Sequence, residues 1–235
     1  MLAQIYDAFE GDRDDLGLYV DLVHELGARR VLDVGCGTGS LPVRLGCRGV
    51  EVTGVDPAAA SLAVARNKQC ADHVTWVHGD ATTLPPLQVD VAVMTGNVSQ
   101  VFLTDHAWIA TLRGIRTALT VHGYLVFETR RPERRAWEDW AVDTGPVVRD
   151  IPGVGEVEQR SEVTDVVLPY VSFRQSYRFV RDDQVVSSGS TLRFRSRQEI
   201  ENSLTSAGFT ALEVRDAPDR PGQEYIFIAR PLREP

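Results

Sequence analysis

The chain has 235 residues with 25 Lys+Arg against 33 Asp+Glu, a formal charge of −8, and 43% of its residues are hydrophobic. That length and balance predict one soluble globular domain, or one domain with a sizeable insertion, able to bury a large core. Nucleic acid is disfavoured as a partner, because nonspecific affinity for a phosphate backbone comes from Lys and Arg displacing counterions. The N-terminus has no basic start followed by an apolar run, and no stretch approaches ~18 consecutive apolar residues. The expectation is a cytoplasmic protein without a membrane segment. Three cysteines, Cys36, Cys47 and Cys70, form no CxxC and no cluster with histidine. They read as small buried thiols, with neither a disulfide framework nor a metal site.

Leu16, Tyr19, Val20, Val23 and Leu26 fall at helical spacing and Gly27 stops the run, so one amphipathic helix is expected before the first strand. Short apolar runs then alternate with helical segments. Strands are expected at 30–34, 50–55, 74–78, 89–94 and 125–129, with helices at 41–45, 58–66 and 108–119. Several runs are apolar at consecutive positions, as in strands buried on both faces of a parallel sheet. Beyond Arg130 the pattern changes. Val171, Phe173, Gln175, Tyr177 and Phe179 alternate with Ser172, Arg174, Ser176 and Arg178, and Asp182-Asp183 forms a turn, predicting half-solvated antiparallel strands within an insertion at about 145–195. Ser196 with Glu199 forms a capping box for a helix that ends at Gly208, and two strands near 210–215 and 224–229 close the chain.

The segment Val31-Leu32-Asp33-Val34-Gly35-Cys36-Gly37-Thr38-Gly39-Ser40 runs from a strand into a glycine-rich turn before a helix. Glycine is needed there for backbone angles that a Cβ forbids and for close approach to a ligand. In neither register does the turn complete the dinucleotide pattern G-x-G-x-x-G, because Ser40 or Pro42 occupies the third glycine position. No Gly-Lys-Ser/Thr follows, so the phosphate loop is absent as well. Asp56, 17 residues beyond Gly39, ends the next strand, where a carboxylate can accept both ribose hydroxyls of an adenosine. With Pro57 behind it, Asp56 also reads as a helix cap. Asp33 can pair with a ligand ammonium, and Asp80, after Gly79 and before Ala81, can accept from an adenine amino group. Thr95-Gly96-Asn97 ends the fourth strand with a small residue where backbone can approach a ligand.

Val31–Gly39 with Asp33, Gly-Val-Asp-Pro at 54–57, Gly-Asp-Ala at 79–81 and Gly-Tyr-Leu-Val-Phe-Glu at 123–128 resemble the successive motifs of class I S-adenosylmethionine-dependent methyltransferases. The resemblance covers about 16–130. The stretches 94–102 and 127–132 further resemble a bacterial subgroup acting on small molecules. It implies a Rossmann-like seven-stranded α/β sheet, mostly parallel with the last strand antiparallel, and an antiparallel β insertion as lid. On that basis 1–28 is an N-terminal helix and lid, and 29–130 the cofactor-binding core. The segment 131–195 covers the substrate site, and 196–235 supplies a helix and the last two core strands.

The resemblance further implies S-adenosylmethionine as cofactor, with S-adenosylhomocysteine as product. It assigns Asp33, Gly35, Cys36, Gly37 and Gly39 to the methionine end, Asp56 and Pro57 to the ribose, Gly79, Asp80 and Ala81 to the adenine, and Thr95, Gly96 and Asn97 to the floor beside the sulfonium. Neither Asn/Asp-Pro-Pro-Tyr nor Pro-Cys follows the fourth strand, so base methylation is not expected. Asn97, His106 and Glu128 are the candidate catalytic residues, and Tyr6, Arg130, Trp137 and Tyr170 the candidate substrate residues. The aromatic residues of the insertion, Trp140 and Phe173 included, read equally as packing. The expected function is methyl transfer to an O or N nucleophile of a small molecule by a monomer or homodimer. A noncatalytic cofactor-binding protein and a nicotinamide-dependent oxidoreductase are the alternatives.

Overall fold

The structure is a computed structural model that describes residues 1–232, so the last three residues of the 196–235 segment lie outside the described residues. The chain opens with two helices, α1 (Leu2–Glu10) and α2 (Leu16–Glu25), where one was expected. Then follow β1 (Arg30–Val34), α3 (Ser40–Gly46), β2 (Glu51–Asp56), α4 (Ala59–Ala65), β3 (Val74–His78), β4 (Val89–Met94), α5 (Asp105–Ala118) and β5 (Leu119–Arg130). A one-turn helix α6 (Trp137–Trp140) leads into β6 (Val147–Ile151), β7 (Gly155–Val167), β8 (Tyr170–Phe179) and β9 (Gln184–Arg193). The chain returns through α7 (Arg197–Ser206), β10 (Phe209–Asp216) and β11 (Glu224–Pro231).

The main sheet has seven strands in the order β10-β11-β5-β4-β1-β2-β3. Strands β1 to β5 pair in parallel, and β11 runs antiparallel to both of its neighbours. Successive side chains of a strand point to opposite faces, which explains the continuous apolar runs. Leu32, Ala92 and Met94 pack with Trp108 and Leu112 of α5 and Leu204 of α7 on one face; Val31, Val91 and Val93 pack with Tyr19 and Leu22 of α2 and Leu45 of α3 on the other. At α7 the capping box forms as expected: Ser196 Oγ accepts from Glu199 N at 3.3 Å, and Glu199 Oε2 accepts from Ser196 N at 2.7 Å.

The insertion is a separate four-stranded antiparallel sheet in the order β6-β7-β8-β9. Helix α1 belongs to it structurally. Ile5, Leu2 and Phe9 pack on Ile151, Val157, Tyr177 and Phe179, with the Phe9 and Tyr177 rings edge to face at 5.5 Å. Among the described residues, no helix is long and apolar enough to cross a membrane.

The expectation of three free thiols is overturned. Cys47 and Cys70 form a disulfide, their Cα atoms 5.5 Å apart, and Cys36 alone is a buried free thiol. The two residues are 23 positions apart, but the end of α3 abuts the turn before β3, where a Cβ on Gly46 would lie 3.5 Å from the Cys70 carbonyl oxygen. Reduction, or replacement of both cysteines by serine, is expected to lower the unfolding free energy by about 3 kcal/mol, the chain-entropy term for a ring of this size. The check is denaturant unfolding of the oxidised and reduced protein; coincident midpoints would show that the bond contributes nothing to stability.

Candidate active site

The glycine turn between β1 and α3 is fastened to the end of β2. Gly35 and Cys36 donate their N–H groups to the Val55 carbonyl at 2.8 and 3.1 Å, and Gly37 N–H donates to Asp56 Oδ2 at 2.8 Å. The other Asp56 oxygen accepts from Ala58 N at 2.7 Å and so braces the entry to α4. Two glycines have no substitute here. Gly39 has φ +81° and a Cβ on it would lie 2.5 Å from the Trp76 ring; Gly35 has φ +73° and its Cβ would lie 2.6 Å from a Val98 methyl.

Above the turn is a cleft of about 80 Å³ lined by Asp33, Gly35, Gly37, Thr95 and Gly96, together with Tyr6 and Arg13. Asp33 is 2% exposed and its Oδ1 has no hydrogen-bond partner. Burial pushes its carboxyl up to about 8, with the nearby Asp56 charge adding to the rise and Arg13 opposing it. Arg13 already donates to both Asp15 carboxylate oxygens at 2.9 Å, so the group left unpartnered in the cleft is the Asp33 carboxyl, which fits a ligand cation. Tyr6, expected at the substrate, lines this cleft instead.

The turn after β4 divides two cavities. Thr95, Gly96 and Val98 face the first cleft, while Asn97, with φ +66°, faces a second cavity of about 380 Å³ between the insertion sheet and the α6 region. Arg130 and Trp140 line that second cavity along with Phe173, Asp139, Asp143 and Glu162. Arg130 donates from Nε to Asn97 Oδ1 at 3.1 Å, pairs with Glu224 at 3.3 Å and lies 5.1 Å from the Trp140 ring centre.

Besides Tyr6, three candidates sit elsewhere than expected, and one is already engaged. The Glu128 carboxylate is buried beneath the dividing turn, where Oε1 accepts from Gly96 N at 2.7 Å and Asn97 N at 3.2 Å and Oε2 accepts from the Tyr19 hydroxyl. It shapes the turn and is not free to take an acceptor's proton. His106 is exposed near the start of α5 and lines neither cavity. Trp137 is 4% exposed and packs edge to face on Phe194 at 4.8 Å, so Trp140 faces the cavity in its place. Tyr170 donates its hydroxyl to the Leu103 carbonyl, away from the cavity.

Gly79-Asp80-Ala81 follows β3 beside Asp56: Gly79 N–H donates to the Asp56 carbonyl at 3.1 Å, and Asp80 Oδ1 accepts from Thr82 N at 2.7 Å. The Pro57 carbonyl lies 3.0 Å from His78 Nε2. Arg13 went unnoticed in the sequence because it sits in an irregular turn without a motif; Arg44 of α3 holds that turn by donating to the Arg13 carbonyl at 2.9 Å.

Comparison with known proteins agrees with this geometry. The model of the methyltransferase domain matches residues 31–123. A putative methyltransferase of Geobacillus sp. (strain WCH70) is 30% identical over 219 residues, covering 87% of this chain and 85% of that protein. Among solved structures, the sugar N-methyltransferase KedS8 from Streptoalloteichus sp ATCC 53650 superimposes with a TM-score of 0.79 at 19% identity, over 99% of this chain and 95% of its own. CalS10, an amino pentose methyltransferase from Micromonospora echinaspora solved with S-adenosylmethionine, gives 0.75 at 22% identity over 97% of both chains. The chain belongs to the class I S-adenosylmethionine-dependent methyltransferases, and the nicotinamide alternative is set aside.

A cationic group entering the first cleft favours ionised Asp33, which is protonated at pH 7 when its carboxyl sits near 8. Binding of S-adenosylhomocysteine is therefore expected to release a proton at pH 7 and to tighten with rising pH up to about 8, levelling off above. Calorimetry in buffers of different ionisation heat reads the release. Its absence, or its persistence in Asp33→Asn, would remove Asp33 from the site.

Proposed function

We propose that this methyltransferase acts on an amino nitrogen of a small ring-shaped molecule held in the 380 Å³ cavity. What carries the proposal is the cavity wall: Trp140, which stacks under Arg130, and Phe173 supply aromatic rings, Asp139 and Asp143 supply carboxylates, and Asn97 lies between this cavity and the first cleft. The volume suits a single sugar-sized ring. Aromatic faces beside acidic groups attract a cationic amine. The names of KedS8 and CalS10 point the same way for those proteins.

Asp33 would hold the ammonium of the cofactor's amino-acid end, with Arg13, itself fastened to Asp15, beside it, Gly35, Gly37 and Gly39 keeping backbone close and Asp56 toward the ribose. Bound there, S-adenosylmethionine supplies an activated methyl group. The protein's contribution is placement: the aromatic wall orients the acceptor, the Arg130-Asn97 contact fixes the partition, and the insertion limits water. Orientation alone can account for about 7–11 kcal/mol of a barrier. The attacking nitrogen must be the free base, so the bound ammonium first gives its proton to a wall carboxylate such as Asp139 or to water; Glu128 is committed to the turn and Glu162 to an ion pair with Arg174 at 2.9 Å.

The test is a panel of amino-bearing rings and their hydroxyl-only counterparts, read by release of S-adenosylhomocysteine. Turnover of amines is expected. Turnover confined to hydroxyl compounds, or none despite cofactor binding, would overturn the proposal. Trp140→Ala is expected to raise the acceptor KM about tenfold, the scale of one lost aromatic contact, and to leave cofactor affinity unchanged.

A further inference from the structure

We propose that the Cys47–Cys70 disulfide is a redox-modification site that sets how tightly the protein retains its cofactor. The inference rests on placing the cofactor at the glycine turn. Helix α3 starts at Ser40, directly after that turn, and Cys47 caps its other end. Cys70 follows two residues after Lys68, the chain's only lysine. The Lys68 ammonium returns to the start of α3: Nζ donates to Ser40 Oγ at 3.2 Å and to Thr38 Oγ1 at 3.4 Å, and pairs with Asp7 Oδ2 at 2.6 Å. The other Asp7 oxygen accepts from the Thr38 hydroxyl at 2.6 Å. The disulfide thus closes a ring of α3, the 66–73 turn and Lys68. The ring fastens both the glycine turn and α1, the helix that carries Tyr6 over the cofactor cleft.

A second route joins the same parts. Trp76 donates its indole N–H to the Ala71 carbonyl at 3.0 Å, one residue past Cys70, and its ring lies against Gly39. With the bond intact, the 66–73 segment is held on α3, where it presents Lys68 to the turn and its Ala71 carbonyl anchors the Trp76 indole of β3. Without it, the segment keeps only noncovalent ties, among them the 3.3 Å contact of His73 Nδ1 with the Gly46 carbonyl.

Cys47 is exposed, so a reductant can reach it. The reductant is a dithiol. One of its thiolates attacks Cys47 Sγ, the S–S bond breaks, and Cys70 leaves as a thiolate; the second reductant thiolate then displaces Cys47, leaving the reductant as a disulfide and both protein sulfurs to take up protons. Two electrons move to the protein, and an oxidised partner of the same class reverses the exchange. In a thiol-reducing compartment the open form is favoured.

The experiment measures S-adenosylhomocysteine affinity by calorimetry on the full chain, oxidised and after dithiothreitol treatment with thiol titration confirming two new thiols, alongside hydrogen exchange of the α1 amides. Reduction is expected to weaken binding roughly tenfold, the scale of losing one charge-assisted hydrogen bond, and to speed α1 exchange. Oxidised Lys68→Met is expected to show the same weakening and faster exchange, with little further change on reduction. Equal affinity and equal α1 exchange in the two redox states would overturn the proposal, as would a Lys68→Met protein whose affinity still falls on reduction as the parent's does. Failure of even the oxidised protein to bind the cofactor would instead overturn the cofactor assignment, and α1 exchange would still decide whether the disulfide governs the helix.

Discussion

Asp56 accepts the Gly37 N–H on one carboxylate oxygen and the Ala58 N–H on the other, and the remaining site groups are placed around that pair of bonds. The bonds hold three glycines at positive φ in a turn that has no regular hydrogen-bond ladder of its own. They also set a negative charge close to Asp33, one strand over, where Asp33 pairs in register with Gly54 of β2. Burial raises the Asp33 carboxyl, and the Asp56 charge adds to that rise. One arrangement of two carboxylates thus holds the turn and leaves a buried, unpartnered acid beside it.

A second set of buried charges supports the partition between the cavities. Glu224 is 1% exposed and faces Arg130 across the β5–β11 pair; Arg220 donates to it at 2.8 Å, and Arg130 lies 3.3 Å away. Burial, together with the Glu128 charge, pushes the Glu224 carboxyl up to about 7. Buried ion pairs contribute little net stability, since desolvation offsets their attraction, but removing one partner is costly. Here they specify position: the Arg130 side chain cannot leave Asn97 without leaving Glu224 as well.

The main sheet was legible because strands buried on both faces must be apolar throughout, and runs such as Val89–Met94 admit little else. The capping box at Ser196 and the glycine turn were legible because their chemistry is local. What escaped the sequence depends on partners far along the chain. The apolar residues Leu2, Ile5 and Phe9 lie at helical spacing, yet α1 acquires its burial from Ile151, Val157 and Tyr177 of the insertion. Cys47 and Cys70 meet only because α3 and the turn before β3 pack together. Of the two tryptophans three residues apart, nothing local says that Trp137 turns into the lid core and Trp140 toward the cavity. Glu128 had the right residue type beside the site, but its surroundings engage it before any ligand does.

The two cavities have separate walls: α1 residues border the cofactor cleft, whereas the larger cavity lies between the insertion strands and the segment after α6. The N-terminal helix thus closes over one opening of the molecule and leaves the other to the insertion alone, so changes in 131–195 can reshape the larger cavity without touching the walls of the smaller one.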